Sequence, residues 1–151
     1  MGPVLFFLSM LVVTGLLYPL AVTGVVRVIF PEKSAGSLIV KDGKVIGSEL
    51  IAQPFTNPKY FWPRPSASNY HAVPSAASNL APTNPQFPKQ GEPTSSGSGL
   101  DPHITLEMAL DQIDRIASAR GVDRKTVESV LTGKHHMNVL LANLELDIIA
   151  P

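Results

Sequence analysis

The chain has 151 residues, with twelve basic and twelve acidic side chains and no cysteine. A formal net charge of zero provides no long-range field for nucleic acid or an anionic membrane surface, and the lack of cysteine excludes disulfides, zinc–thiolate centres and thiol nucleophiles. No charged residue precedes Arg27, so the two ends of the chain are different physical objects.

Residues 4–26 carry no charged side chain, and the apolar run resumes after Arg27 as Val28-Ile29-Phe30. A helix rising about 1.5 Å per residue crosses a hydrocarbon core of about 30 Å in roughly 20 residues. A transmembrane helix is therefore expected. The competing reading is a cleaved secretory signal, with an apolar stretch of about 7–15 residues behind a basic start. Here the run is longer, Met1-Gly2-Pro3 has no Lys or Arg, and the small triplet Ser34-Ala35-Gly36 directly follows Glu32 and Lys33. The expectation is an uncleaved single-pass anchor over residues 1–31 and one soluble domain over 32–151, large enough to fold on its own apolar core. Within the span, Pro19 lacks a backbone donor and Gly15 and Gly24 allow close approach. That stretch is expected to bend and to pack against protein, although Gly and Pro are also frequent in membrane helices at large. Arg27 and Lys33 lie beyond the span, so positive-inside counting places the soluble domain in the cytoplasm.

Ser37-Leu38-Ile39-Val40, Lys41-Asp42-Gly43-Lys44 and Val45-Ile46 predict a hairpin, with Asp42-Gly43 supplying the positive backbone angles of a tight turn. Residues 48–51 are expected to extend the sheet. From 54 to 102 there are ten prolines, a density that forbids long helices and central strands. Phe55, Tyr60, Phe61, Trp62 and Tyr70 stand among them, whereas disordered linkers are poor in aromatics. The expectation is an ordered, irregular Pro-rich layer, with Asn57, Asn84 and the Ser-Asn pairs at 68–69 and 78–79 bonding local turns. Thr94-Ser95-Ser96-Gly97-Ser98-Gly99 is small and flexible, but no Lys-Ser/Thr pair follows to make a Walker loop.

Helical periodicity begins after Thr105, an N-cap residue type. Leu106, Ala109, Leu110, Ile113, Ile116 and Ala117 predict one apolar stripe, Asp111 and Arg115 an i,i+4 pair, and Gly121 the C′ position. A second helix is expected from Asp123, burying Val127, Val130 and Leu131 and stopping at Gly133. Asn138-Val139-Leu140-Leu141 reads as a buried strand, and residues 143–149 as a last helical segment. The fold class is α+β: one N-terminal transmembrane helix, a short sheet, the Pro-rich layer and two or three helices.

The chain shows little chemistry of its own. His135 and His136 are adjacent, so on a strand they point to opposite faces and make a poor metal site with His71 and His103. Ser98, Asp101 and His103 invite comparison with a catalytic triad, but triads converge from separate elements and residues this close cap turns. A single helix encloses no pore. Uphill transport needs a fuel site, and neither a Walker motif nor an Asp-Lys-Thr-Gly phosphorylation loop is present.

Several stretches, in order, resemble one family. They include Val13-Thr14-Gly15, Tyr18-Pro19-Leu20-Ala21-Val22-Thr23-Gly24 and Gly36-Ser37-Leu38-Ile39. Gly47-Ser48-Glu49-Leu50-Ile51-Ala52-Gln53-Pro54-Phe55 and Tyr60-Phe61-Trp62-Pro63-Arg64-Pro65-Ser66-Ala67 follow. Ser78-Asn79-Leu80-Ala81-Pro82-Thr83-Asn84-Pro85, then Ser96-Gly97-Ser98-Gly99-Leu100-Asp101-Pro102-His103-Ile104 and Ala119-Arg120-Gly121, complete the set with Asn138-Val139-Leu140. Together they resemble the KdpC family, one of the subunit types of the Kdp-type potassium-transporting ATPase.

The resemblance implies a non-catalytic accessory subunit in the cell membrane of a prokaryote. Its partners would be a channel-like potassium-binding subunit, a P-type ATPase catalytic subunit and a small single-span subunit, besides membrane lipid. ATP and potassium would be used by the complex, with no cofactor or metal assigned to this chain. It also implies an extracytoplasmic domain, against the positive-inside count. Gly15, Tyr18, Pro19, Thr23 and Gly24 are then expected to pack against a partner helix. Two segments are shorter than the family pattern: residues 86–95, and Gly133-Lys134-His135-His136-Met137 before Asn138. The rival expectation is an anchored nucleotide-binding or hydrolytic domain using the Ser-Gly loop with Asp101 and His103.

Overall fold

The computed structural model describes residues 2–89 and 93–150. The outer ends of the two expected domains, Met1 and Pro151, and Gln90, Gly91 and Glu92 of the short 86–95 stretch lie outside the described residues. The chain divides into two compact units, Met1–Leu38 and Ile39–Pro151.

The first unit is built on a helix of 28 residues, Gly2–Ile29, long and apolar enough to cross a membrane, with none of its side chains buried. It runs as α1 (Gly2–Val12), a π-helical turn (Val13–Leu17) and α2 (Tyr18–Ile29). The irregularity sits where the sequence requires one. Pro19 has no N–H, so the regular ladder cannot pass through it, and the Tyr18 N–H just before it bonds the Val13 carbonyl, i to i−5. Phe30, restricted by the proline that follows, leaves helical geometry at φ −131°. The short α3 (Pro31–Ser34) closes in a Schellman arrangement. Ser37 N–H bonds Glu32 O at 3.0 Å and Gly36 N–H bonds Lys33 O at 3.1 Å, with Gly36 at φ +94°.

From the last residue of the first unit onward, β1 (Leu38–Lys41) and β2 (Lys44–Ser48) form the expected hairpin, with Asp42 and Gly43 at φ +52° and +75°. The strand does not continue to Ile51. The Ser48 hydroxyl accepts the Leu50 N–H at 3.1 Å, which turns the chain instead. From there to Pro102 the described residues contain neither helix nor strand. The second sheet pairs β3 (His103–Thr105) antiparallel to β4 (His136–Asn138), with Ile104 opposite Met137.

Thr105 caps the next helix as expected, accepting the Met108 N–H. The single amphipathic helix expected there is two, α4 (Leu106–Leu110) and α5 (Ile113–Arg120). Between them the chain tightens, and Gln112 N–H bonds Ala109 O at 3.1 Å, i to i−3. The turn rotates Leu110 out of the stripe to 40% exposure, while Ala109, Ile113, Ile116 and Ala117 stay buried. Gly121 takes the left-handed C-terminal position at φ +68°. Asp123 precedes α6 (Arg124–Ser129), which is shorter than expected, although Val127, Val130 and Leu131 are buried and Gly133 has φ +74°.

The buried strand expected at 138–141 is a correction. Only Asn138 belongs to β4, and Val139 opens the last helix, α7 (Val139–Ile149). The Asn138 carboxamide decides this. It accepts the Leu140 and Leu141 N–H groups at 3.1 and 3.3 Å and donates to Glu49 O at 2.7 Å, a helix cap read as strand because apolar residues follow it. Among the described residues of this unit there are thus four helices, not two or three. The core gathers Phe61, Ile104, Ile113, Ile116, Val127, Val130, Met137, Val139 and Leu146. Each such side chain contributes roughly 1.5–3 kcal/mol on burial.

Candidate functional site

The residues expected to meet a partner helix lie along the apolar helix. Gly15 is inside the π turn, Tyr18 and Pro19 open α2, and Thr23 and Gly24 follow one turn on. The Thr23 hydroxyl donates to Pro19 O at 2.7 Å, and Thr14 and Ser9 likewise bond carbonyls four residues back. These bonds satisfy the Ser and Thr hydroxyls of the helix locally, as a hydrocarbon surrounding would demand. A Cβ built on Gly15 or Gly24 meets nothing within 4 Å, and Tyr18 is 67% exposed.

In the soluble unit the 54–102 stretch is fixed by side chains acting on backbone. Asn57 and Asn84 cap turns through Lys59 N–H at 3.0 Å and Gln86 N–H at 2.8 Å. Buried Asn143 of α7 holds both backbone groups of Phe61, accepting its N–H at 2.7 Å and donating to its carbonyl at 3.0 Å. Arg120, nearly enclosed at 4% side-chain exposure, pairs with Asp147 at 2.9 Å, donates to Lys59 O at 2.8 Å and faces the Tyr60 ring. Tyr60 in turn donates to Asp147 at 3.2 Å. Its phenol is held above the usual tyrosine range first by burial and then by the Asp147 charge, and Tyr70 is raised by burial alone.

Arg64 organises the Ser-Gly loop. It donates to Thr94 O and Thr94 Oγ1 at 3.1 Å and to Ser95 O at 3.0 Å, and it pairs with Asp101 at 3.2 Å. Two of the loop's own amides, and that of Leu100 after it, bond within the fold. Ser96 N–H goes to Pro65 O, Gly99 N–H to Ser96 O and Leu100 N–H to Ser98 Oγ. At Gly99, with φ +73°, an added Cβ would sit 2.9 Å from Ala76 O. A phosphate cradle needs converging free amides, and the Ser96 and Gly99 amides, already bonded, are not available to make one.

Ser98, Asp101 and His103 do not make a triad. Ser98 caps Leu100, and Asp101 accepts the His103 N–H at 3.0 Å. Asp101 also lies 3.4 Å from His103 Nδ1, but it is committed to Arg64. The structure brings these residues together as turn caps, as their closeness in sequence indicated. His103 and His136 share one face of the β3–β4 ladder and, with Arg64 and Asp101, line a small cavity of about 270 Å³.

Two arrangements left no mark in the spacing of residues. Arg115, expected to pair with Asp111, turns away. It donates to Pro58 O at 2.6 Å and Gln112 Oε1 at 2.8 Å and lies 3.8 Å over the Trp62 ring, where burial lowers its pKa. Gln112 also clasps Trp62, accepting its N–H at 2.7 Å and donating to its carbonyl at 3.2 Å. The one available signal was a lone tryptophan set between aromatics and prolines.

Comparison with known proteins gives the context. The family described as "K+-transporting ATPase, c chain" matches residues 2–94 and 92–148. The potassium-transporting ATPase KdpC subunit of Cereibacter sphaeroides is 41% identical over 169 aligned positions, covering 93% of this chain and 91% of the relative. Its counterpart from Dechloromonas aromatica is 40% identical over 179, covering 95% and 94%, and that from Rhodospirillum rubrum 42% over 175, covering 93% and 91%. These alignments are longer than the 151-residue chain, so gaps open within it. The two pieces of the family match meet at 92–94, inside the stretch expected to be short.

Proposed function

Since the chain belongs to the family of K+-transporting ATPase c chains, we propose that it is a non-catalytic accessory subunit of an ATP-driven potassium import complex. Residues 1–31 anchor it in the cell membrane, and residues 32–151 form an extracytoplasmic domain whose Pro-rich layer rests at the outer mouth of a channel-like subunit. It assists assembly of that subunit with a P-type ATPase catalytic subunit and a small single-span subunit, and it assists either potassium access to the channel-like subunit or coupling to the ATPase. Gly15, Tyr18, Pro19, Thr23 and Gly24 dock the anchor on a partner helix. The observation that carries the reading is the family match, which runs through the anchor and the soluble unit alike. ATP and potassium belong to the complex in this reading, and the Ser-Gly loop, with no Lys-Ser/Thr pair after it and its Ser96 and Gly99 amides already bonded, takes no part in nucleotide binding.

The test is purification in mild detergent from a potassium-starved host. Three partner subunits accompany the chain on this reading. A chain that purifies alone, in a host whose potassium uptake survives its deletion, overturns it. Orientation has its own test, because the chain lacks cysteine. Ser118→Cys, on an exposed face of α5, should react with a membrane-impermeant maleimide in intact cells, and labelling only after lysis would place the domain in the cytoplasm.

A further inference from the structure

The soluble unit carries a cleft of about 620 Å³ whose lining includes Trp62, Pro65, Pro93, Met108, Glu107 and Asp111. Trp62 is fixed from four directions: its backbone by both ends of the Gln112 carboxamide, its indole N–H by Asn57 O at 3.1 Å, and one ring face by Arg115. Arg115 does not line the cleft, and Trp62 remains 38% exposed. Four contacts thus orient a ring that contributes little to the core. A rigid aromatic over an open apolar cleft is the anchor of a recognition surface, because the cost of ordering it is met before binding.

The charge on the rim identifies the occupant. Glu107 and Asp111 stand four residues apart on α4 and the turn after it, both exposed, and among the described residues neither carboxylate makes a hydrogen bond or ion pair. Like charges at that spacing disfavour the helix, and a cation brought between them removes the cost. A Lys or Arg side chain fits both halves of the cleft, its stem on Trp62 and Met108 and its head at the carboxylates. We infer that the Trp62 cleft is a docking site for a basic loop of another subunit of the complex. The inference rests on the assembly proposed above.

Carboxylate labelling by a carbodiimide with a soluble amine, read by mass spectrometry, tests it on the intact complex in membranes. Glu107 and Asp111 should label about tenfold less in the complex than in this chain alone, with Asp114, exposed on the neighbouring helix, as the reference. The double variant Glu107→Gln/Asp111→Asn, which removes no contact within the fold, should leave the complex at lower salt than wild type. Equal labelling in an assembled complex overturns the cleft and leaves the assembly standing. Failure to bring down any other subunit overturns both, and equal protection of the lone chain in protein-free vesicles assigns the cleft to lipid and overturns docking by protein.

Discussion

At the scale of single residues the soluble unit is held by a few polar side chains that reach across the chain to backbone. Arg120 is the most committed. Its replacement by Ala leaves the Asp147 carboxylate with only the Tyr60 hydroxyl and the Lys59 carbonyl without this donor, and should cost about 2–4 kcal/mol. Lys keeps the charge but cannot supply the planar fork and should recover only part of the loss. The readout is urea unfolding of the detergent-solubilised chain followed by Trp62, its only tryptophan. Asn143→Ala strips both partners from the buried Phe61 backbone and belongs in the same range. The raised phenols of Tyr60 and Tyr70 give a pH dependence. A phenol that holds its proton more tightly when folded stabilises the fold fully below its unfolded value of 10.0. That contribution is lost as pH rises through the folded value. Unfolding midpoints should be insensitive to these groups near neutrality and fall above about pH 10, and Tyr70→Phe should flatten the fall. A midpoint with the same alkaline slope in Tyr70→Phe would refute the assignment.

Among the elements, legibility tracks how local the deciding interaction is. The hairpin turn at Asp42-Gly43, the Thr105 cap and the Gly121 stop each depend on residues within one turn, and each forms as the sequence predicts. Apart from the strand stopped at Ser48 by its own local turn, the failures have distant causes. Residues 138–141 look like a strand until Asn138 is seen capping α7 while reaching back to Glu49. The stripe from Leu106 breaks at Gln112, whose side chain is drawn to Trp62, 50 positions away. Arg115 leaves Asp111 for Pro58 and Trp62 for the same reason. The five residues expected to dock the helix follow from Gly and Pro content and a resemblance, whereas the Trp62 cleft needs the fold to assemble it. Gln112→Ala therefore tests an element boundary: with the clasp gone, Trp62 should lose its fixed environment, seen as red-shifted emission, at a cost of about 1–3 kcal/mol. Unchanged emission would mean that Arg115 and the indole bond suffice to hold the ring.

For the molecule as a whole, the question is whether its helix merely tethers or also docks. A plain tether needs only apolar length, so replacing a small residue by a larger apolar one should leave it intact. A docking helix behaves otherwise, because in lipid there is no hydrophobic drive between helices and association depends on close backbone approach. Gly15 and Gly24 separate these cases, since a side chain at either meets nothing in the isolated chain. Any penalty must then come from a partner. Gly15→Leu and Gly24→Leu should insert normally and leave the soluble unit's unfolding unchanged, yet reduce recovery of the channel-like subunit by about tenfold or more. Val28→Leu, at a position 83% exposed on the same helix, is the control and should have no effect. Full recovery of the complex with both glycines replaced would reduce the helix to a tether. The π turn would then be only the consequence of Pro19 within an otherwise passive span.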